Sequence, residues 1–386
     1  MPHDIKNGGE KMTENEKEWA ASVAERILEK TKASVERNMD KVPYLTKNGS
    51  FDDWSDNISW WTNGFYAGQL WQLYNAYGYE KFKTAAEKIE DKLDESLMSY
   101  MGMDHDSGFK WLLTSVADFK VTKNEKSKNR GLLAAANLAG RFNPEGRSIR
   151  AWNDNGDGNT AGWAIIDCMM NLPLLYWAQE QTNDPRFSHI AKAHADTAMK
   201  AFVREDGSVH HIVQFNAETG EVVDTLGGQG MEKGSSWTRG QAWAVYGFTL
   251  SYIHTKNKAY LDTAKKVAHY FEKSLPESGL VPVDFCQPAE CDWEDTTAAA
   301  IAACGMLELG KLVENPEEKD LFHNTAVRLL KVLEEKRSNW DLSVDNILEN
   351  GSVAYHEEKH NFPIIYGDYY FTEAVLKLCG KELFMW

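Results

Sequence analysis

The sequence predicts an all-α protein, an (α/α)6 barrel of six helical hairpins with one small β-hairpin in a long loop. Three observations predict this fold. Apolar residues recur at helical spacing in twelve segments, alternate segments share a short repeat, and the connections alternate between tight turns and long loops. No linker rich in proline or serine divides the chain, so residues 1–386 are expected to form a single catalytic domain.

Twelve segments have helical periodicity without the alternation that is typical of strands. In chain order they are residues 14–38, 61–77, 80–101, 107–123, 127–142, 160–182, 185–203, 236–255, 258–275, 294–312, 318–337 and 366–380. Residues 1–13 lack this pattern and are expected to form a loose tail. Residues 208–224 are predicted to form a β-hairpin with Glu218, Thr219 and Gly220 in its turn.

Alternate helices open with an aromatic residue followed by an alanine four positions later. The pairs are Phe82 and Ala86, Phe187 and Ala191, Tyr260 and Ala264, and Phe322 and Ala326. Residues at this spacing share one helix face, so each such helix can pack closely against a neighbour. Each repeat therefore contains one helical hairpin. Six hairpins favour a closed ring; an open solenoid is the alternative, but it needs polar capping repeats and neither end resembles one.

Six connections are long and rich in polar and aromatic residues, whereas others, such as 78–80 and 182–185, are tight turns. The long connections are residues 43–60, 102–108, 143–160, 204–235, 276–293 and 338–365. In a ring of hairpins the long loops gather at one end. A binding pocket is expected at that end.

The composition limits the possible partners and the location. Acidic residues number 58 against 42 basic residues, a formal net charge of −16, which excludes nucleic acids and anionic membranes as main partners. The N-terminus lacks the apolar stretch of a signal peptide, and no window approaches about 18 consecutive apolar residues. A cytoplasmic protein, a monomer or a homodimer, is expected. The 45 aromatic residues, many beside Gly, Asn and Asp, suggest a flat, ring-shaped ligand.

Neither the cysteines nor the one calcium-like loop makes a convincing metal site. The five cysteines are too few, and odd in number, for a disulfide framework. Cys286 and Cys291 have no second pair that would complete a zinc site. Residues 154–159 resemble the start of a calcium loop, but Ile165 stands where such a loop needs a bidentate Glu, so these residues are interpreted as a turn.

Asp104, His105 and Asp106 stand in a row directly before a predicted helix. The structural interpretation is that Asp106 or Ser107 caps the helix. The functional interpretation is that one of the two acids is a catalytic carboxylate. Asp104 is then the bystander.

Asp167 is a lone acid within the apolar run 164–173. Aspartate is rarely buried unless it is paired, and it is unfavourable inside a helix. Burial would raise its pKa from about 3.9, and a second carboxylate nearby would raise it further. Such a shift is useful in a general acid, so the functional interpretation is favoured over a structural one.

Arg239 and Trp243 lie one helical turn apart in a predicted helix that begins near Ser236. An arginine near a helix start opposes the helix dipole, so it needs an anionic partner. That partner is either the carboxylate of a ligand, bound in bidentate fashion, or an acidic residue of the protein itself. The sequence leaves both interpretations open.

Four motifs together resemble those of the unsaturated glucuronyl hydrolases, glycoside hydrolase family 88. They are residues 105–109 (HDSGF), 165–173 (IIDCMMNLP), 236–243 (SWTRGQAW) and 366–370 (YGDYY), and the resemblance extends from about residue 50 to the C-terminus. It implies an (α/α)6 barrel enzyme that removes a 4,5-unsaturated uronic acid from the non-reducing end of oligosaccharides left by polysaccharide lyases, such as chondroitin, hyaluronan or heparin fragments. An acid protonates C4 of the enol ether and water adds at C5. The resemblance implies no metal or cofactor.

The resemblance also implies roles for individual residues. Asp167 matches the general acid/base of the family, and Asp106 matches its second catalytic carboxylate. The remaining matches are substrate-binding positions: His105, His211, Gln229 and Arg239 around the sugar and its carboxylate, and Trp61, Trp152, Trp237, Trp243 and Tyr355 as aromatic walls.

Two questions about specificity stay open at the level of the sequence. Family members that favour sulfated substrates carry serines and a lysine in the loop that here reads HEEKH (residues 356–360), where Glu357 and Glu358 should repel sulfate and Lys359 or His360 could attract it. The alternative function is an unsaturated rhamnogalacturonyl hydrolase acting on pectin fragments by the same chemistry. A glycosidase or epimerase of saturated sugars, suggested by the pair His210 and His211, and a non-catalytic sugar-binding protein are more distant alternatives.

Overall fold

The computed structural model describes residues 12–154 and 158–386. The predicted tail up to residue 11 and the central residues of the calcium-like loop, 155–157, lie outside this range. Within it, twelve helices follow one another. They are α1 (Glu14–Arg37), α2 (Phe65–Tyr77), α3 (Glu80–Leu97), α4 (Ser107–Trp111 and Ala117–Thr122, joined by the π-helical turn Leu112–Val116), α5 (Glu125–Gly140), α6 (Leu172–Thr182), α7 (Arg186–Ala201), α8 (Thr238–Thr255), α9 (Lys258–Ser274), α10 (Thr296–Leu312), α11 (Pro316–Arg337) and α12 (Ile365–Leu378).

The helices form two concentric layers, as an (α/α)6 barrel requires. Even-numbered helices are buried on all sides: residues 65–73 of α2, 238–251 of α8, 296–310 of α10 and 365–378 of α12 are buried without a break. Odd-numbered helices bury one stripe, as α9 does with Tyr260 and Ala264 of the predicted repeat. Helices buried all round form the inner ring and amphipathic ones the outer ring.

The ring is closed. The last inner helix, α12, packs against both the first, α2, and the preceding one, α10. The chain then folds back, and the C-terminal Trp386 enters the ring from the end opposite the long loops. Its indole is stacked 5.9 Å from Tyr370, and its Nε1 donates to Glu373 at 2.9 Å. The closed barrel predicted from the sequence is confirmed.

The predicted β-hairpin is present and belongs to a larger sheet. Strands Ile212–Phe215 and Val222–Leu226 pair antiparallel, with Gly220 at φ +74° in the connection. A third strand, Trp163–Ile165, pairs with the first of them. Two further hairpins, Thr46–Lys47 with Ser50–Phe51 and Phe142–Asn143 with Ser148–Ile149, are only two residues deep.

The prediction of one helix over 160–182 is wrong. The chain there forms the strand Trp163–Ile165, a 3₁₀ turn over Ile166–Met170, and only then α6. Ile165 is extended, with φ −126° and ψ 152°, because it is hydrogen-bonded in the sheet. Pro173 lies in the first turn of α6, where backbone N–H groups have no acceptor within the helix, so the missing N–H of proline costs no hydrogen bond. The catalytic candidate Asp167 is thus on a short turn rather than inside a helix.

Candidate active site

The long loops meet at the end of the ring where the inner helices begin. Short antiparallel bridges join Leu45 to Ile364 and Trp237 to Asp284, and therefore tie separate loops together. Several candidate residues stand at or just before the first turns of the inner helices, as Asp106 does for α4 and Trp237 and Arg239 do for α8. Since helix N-termini carry partial positive charge, their convergence favours an anionic ligand at this end.

Asp106 occupies the N-cap position of α4, but its side chain does not cap that helix. Its Oδ1 lies 3.3 Å from Nδ2 of Asn171 and 3.3 Å from Nε2 of His105. The side chain is buried, and this burial, together with the negative charges of Asp104 and Asp167, raises its pKa well above the usual range. The capping interpretation is therefore wrong for Asp106.

Asp167 lies on the 3₁₀ turn between the sheet and α6, close enough to Asp106 that its charge raises the pKa of Asp106. It is 8% exposed, and its burial raises the pKa to about 7, although the positive charge of Arg239 acts in the opposite direction. Its Oδ1 is buried and has no hydrogen-bond partner among the described residues. A carboxyl with a pKa near neutrality and no committed partner can hold a proton and release it.

His211 contributes a neutral hydrogen-bond donor beside Asp167. Its Nδ1 accepts from the backbone N–H of Gln229 at 2.9 Å, which places the ring proton on Nε2. Burial lowers the pKa of His211 to about 3, so the ring stays neutral. Nε2 lies 3.7 Å from Oδ1 of Asp167, and the ring packs against Trp237 with centroids 4.4 Å apart. His105 is also buried, and this burial lowers its pKa well below the usual range.

Gln229 joins two of the long loops. Its side-chain amide donates to the carbonyl of Val353 at 2.8 Å, and its own carbonyl accepts from the backbone of Tyr355 at 2.9 Å. Tyr355 packs edge-on against Trp293, with ring centroids 5.0 Å apart. The side-chain amide of Gln229 is thus hydrogen-bonded within the protein. Through its backbone, the residue fixes the positions of Tyr355 and His211 relative to each other.

Arg239 has its anionic partner inside the protein. Its Nη1 lies 2.5 Å from Oδ2 of Asp295 and donates to the carbonyl of Ser352 at 2.6 Å. The guanidinium lies between the rings of Trp237 and Tyr366, 4.5 and 5.3 Å from their centroids. Of the two partners that the sequence left open, the structure shows the internal carboxylate. Only Nε lacks a partner among the described residues.

The aromatic candidates occupy two depths. Trp61 and Trp152 are partly exposed: Trp61 lies 5.0 Å from Tyr366, and Trp152 lies 6.4 Å from the ring of His105. Trp237 is 3% exposed and Trp243 is fully buried. Trp243 packs on Phe109 and Tyr370 inside the ring. The structure therefore places Trp243 behind the site as core, not as an exposed wall.

Two side chains at the candidate site were not predicted from the sequence. Asn171 contacts both segments that carry the candidate catalytic carboxyls, and Asp295 neutralises Arg239. Asn171 could have been found, because it follows Asp167 by four residues in the same motif. Asp295 is 56 residues from Arg239, and no local spacing indicates their contact.

Residues 12–154 and 158–386 contain no cluster of three or more His, Cys, Asp or Glu side chains that could hold a metal ion. In the same ranges no helix combines the length and the apolar character that crossing a membrane requires.

The chain is similar to characterised hydrolases over most of its length, although no family model matches it. It is 35% identical to an unsaturated glucuronyl hydrolase of Bacillus sp. strain GL1 over 367 residues, which cover 93% of this chain and 96% of the relative. It is 32% identical to an unsaturated chondroitin disaccharide hydrolase of Streptococcus pneumoniae over 327 residues, 83% of this chain and 82% of the relative.

The fold matches solved structures of the same kind of enzyme. The crystal structure of unsaturated glucuronyl hydrolase from Streptococcus agalactiae aligns with a TM-score of 0.89 at 30% identity, covering 97% of this chain and 94% of the other. A mutant of that enzyme complexed with dGlcA-GalNAc6S aligns with a TM-score of 0.82 at 27% identity, over 97% and 98% of the two chains.

Proposed function

The chain belongs to the family of unsaturated glucuronyl hydrolases, and we propose that it removes the 4,5-unsaturated uronic acid from the non-reducing end of lyase-generated glycosaminoglycan oligosaccharides. The observation that carries this proposal is the pair of buried carboxyls. Asp167, with a pKa of about 7, lies close enough to Asp106 that its charge raises the pKa of Asp106. Two carboxyls with different surroundings suit acid/base work at neutral pH.

In the proposed reaction, Asp167 donates its proton to C4, and the electrons of the C4=C5 bond form the new C–H bond. The resulting positive charge is shared by C5 and the ring oxygen. Water adds at C5 and gives a proton back to Asp167, with Asp106 orienting the water. The C5 hemiketal opens to a ketone, and the hemiacetal left at C1 then releases the remaining sugar as an alcohol. One water is consumed and the acid is regenerated.

Several features support binding of an anionic sugar by a protein of net charge −16. The N-termini of the inner helices point to the same end of the ring, and Nε of Arg239, whose charge is paired with Asp295, has no partner among the described residues. The neutral Nε2–H of His211 is a donor for an oxygen of the substrate near Asp167. We place the partly exposed Trp61, Trp152 and Tyr355 against the faces of the sugars.

The test measures loss of the ultraviolet absorbance of the C4=C5 bond. The substrates are unsaturated chondroitin disaccharides, sulfated and unsulfated, and an unsaturated rhamnogalacturonan disaccharide, each with EDTA present. Loss with the chondroitin compounds is expected, because the named relatives act on or bind such fragments. Loss of absorbance with the pectin fragment alone would instead support the alternative function, an unsaturated rhamnogalacturonyl hydrolase. No loss with any of the substrates would contradict the proposed reaction.

The same assay addresses sulfation. Glu357, Glu358 and Lys359 are exposed, whereas His360 is stacked on Trp293 at 3.7 Å and its Nε2 lies 3.1 Å from the carbonyl of Tyr355. Two free carboxylates oppose one free lysine in this loop. We therefore expect the unsulfated disaccharide to be turned over faster than the sulfated one. The reverse ranking would show that Lys359 dominates.

The pH profile of kcat/KM should be bell-shaped, with its alkaline limb near pH 7. The general acid must be protonated to react, and the pKa of Asp167 is raised to about 7, so activity falls as pH rises through that value. Initial rates on the unsulfated disaccharide between pH 4 and 9 would check this. An alkaline limb above pH 9 would mean that Asp167 is not the acid.

We further propose that residues 1–386 form one catalytic domain acting in the cytoplasm as a monomer or homodimer. Its five cysteines, at positions 168, 286, 291, 304 and 379, are all free thiols, which fits a reducing compartment. Size-exclusion chromatography with light scattering would determine the assembly.

A further inference from the structure

Asn171 links the two catalytic segments. It is fully buried between the 3₁₀ turn of Asp167 and the first turn of α6. Its Nδ2 lies 3.3 Å from Oδ1 of Asp106 and 3.3 Å from the backbone carbonyl of Asp167. One amide group therefore contacts one catalytic side chain and the backbone of the other.

The orientation of this amide follows from its third contact. Oδ1 of Asn171 accepts from the backbone N–H of Phe109 at 2.9 Å. A backbone N–H can only donate, so the oxygen faces Phe109 and the NH₂ group faces Asp106. The segments are also in close contact: a Cβ added at Gly108 would lie 2.5 Å from Cα of Asn171. The amide is thus held in one orientation.

The two carboxyls have unequal access to donors. Asp106 accepts from the NH₂ of Asn171 at 3.3 Å, whereas Oδ1 of Asp167 has no partner in the described part of the chain. Donors favour the ionised form of a carboxyl, and two nearby carboxylates avoid being ionised together. Burial and the negative charges of Asp104 and Asp167 raise the pKa of Asp106, and the NH₂ group of Asn171 is the contact that opposes this rise. Oδ1 of Asp167 has no such donor among the described residues, and this asymmetry favours the proton on Asp167.

We propose that Asn171 is a positioning residue that fixes this proton assignment: its NH₂ group holds Asp106 as the carboxylate and leaves Asp167 as the acid. This proposal rests on the proposed function. It concerns which of the two carboxyls is ionised first, a property of the free enzyme that can be measured without substrate.

Other charged or titratable groups also surround Asp106. They are Asp104, His105 and Lys110 on its own segment, Asp167 and Cys168 on the facing turn, and Arg141, which acts on neighbouring His105. Lys110 lies 3.4 Å from Asp104 and donates to the carbonyl of Ser59 at 2.9 Å, so its positive charge partly opposes the effect of Asp104 on Asp106. Asn171 is neutral, and its hydrogen bond lowers the pKa of Asp106.

The first test is Asn171→Leu, which is similar in size and has no donor. Without the NH₂ group, Asp106 should hold its proton to higher pH, and the acid limb of kcat/KM should move up by about one pH unit. We expect kcat to fall about ten- to a hundredfold, with KM changing much less, since the relative placement of two catalytic groups is disturbed.

Asn38→Leu is the matched control. Asn38 is also buried, its Nδ2 donates to the carbonyl of Ser34 at 2.8 Å, and it lies at the end of α1 on the outer ring. Both variants should lose thermal stability, but only Asn171→Leu should change the pH profile. If the profile of Asn171→Leu superimposes on that of the wild type, its role is structural and the proposal is overturned.

A titration of the wild-type enzyme tests the proposal without relying on a variant that must fold well. Carboxyl ¹³C signals, assigned with Asp106→Asn and Asp167→Asn, should show Asp106 losing its proton at lower pH than Asp167. The opposite order would overturn the proposal. Failure of the wild type to consume any unsaturated disaccharide would instead overturn the proposed function, and the titration would still report on Asn171.

Discussion

Asp167→Asn is expected to lower kcat by about 10²- to 10⁴-fold, which is the range that general acid/base catalysis usually contributes. The amide is nearly the same size as the carboxyl but cannot deliver a proton to C4. Binding should persist, because the surrounding donors and aromatic rings are unchanged. The measurements are kcat from the loss of ultraviolet absorbance and Kd from calorimetry with the unsaturated disaccharide. Unchanged turnover would contradict both the mechanism and the residue assignment.

The same substitution should stabilise the folded protein at alkaline pH. The pKa of Asp167 is about 7 in the folded state, against 3.8 for an unperturbed Asp, so between these values the folded state binds more protons than the unfolded state. The free energy of unfolding therefore decreases as pH rises from about 4 to 7, by at most about 4 kcal/mol. Asp167→Asn removes this loss. Its melting temperature should exceed that of the wild type at pH 8 and approach it at pH 4.

Asp368→Asn is the matched control for both effects. Asp368 is buried in α12, and its burial also raises its pKa to about 7. It accepts the backbone N–H groups of Ile347 at 2.9 Å and Leu348 at 2.7 Å, so it anchors a loop. Asp368→Asn should weaken the hydrogen bonds that anchor this loop and leave kcat nearly unchanged. A loss of kcat as large as that of Asp167→Asn would show that burial of a carboxyl, not proton transfer, explains the effect.

The comparison of these two acids shows what the sequence could predict. Both stand in apolar surroundings, and burial with a raised pKa could be inferred for Asp167 from its neighbours alone. The inner helices were equally predictable, since they are apolar on all sides. Whether a buried acid takes part in catalysis depends on the groups around it, and Asp106 and His211 are brought close to Asp167 only by the fold.

The errors of the sequence analysis have a physical cause as well. Residues 163–165 are too few for a strand pattern, and they are extended only because residues 212–215 pair with them. Trp243 belongs to the same motif as Trp237 and Arg239, yet the turn of α8 directs it into the core. Local periodicity identifies a helix, but it does not show which residues of that helix line the pocket and which are packed in the core.

Breaking the ion pair of Arg239 and Asp295 should destabilise the fold by about 3–5 kcal/mol whichever partner is removed, because an uncompensated charge remains buried. The direction of the pH effect should depend on the partner. In Asp295→Asn the guanidinium is no longer neutralised, so it favours ionised Asp167 more strongly and lowers its pKa. The alkaline limb of kcat/KM should therefore move to lower pH.

Arg239→Met should move the same limb to higher pH, because the positive charge that favours ionised Asp167 is lost while the negative charge of Asp295 remains. In the double variant Arg239→Met with Asp295→Leu, neither charge is left, and the loss of stability should be smaller than the sum of the single losses. Urea unfolding and pH–rate profiles of the four proteins complete the cycle. If the alkaline limb shifts in the same direction in both single variants, an electrostatic role is contradicted. A KM increase confined to Arg239→Met would indicate that Nε of Arg239, which has no partner among the described residues, also binds the substrate carboxylate.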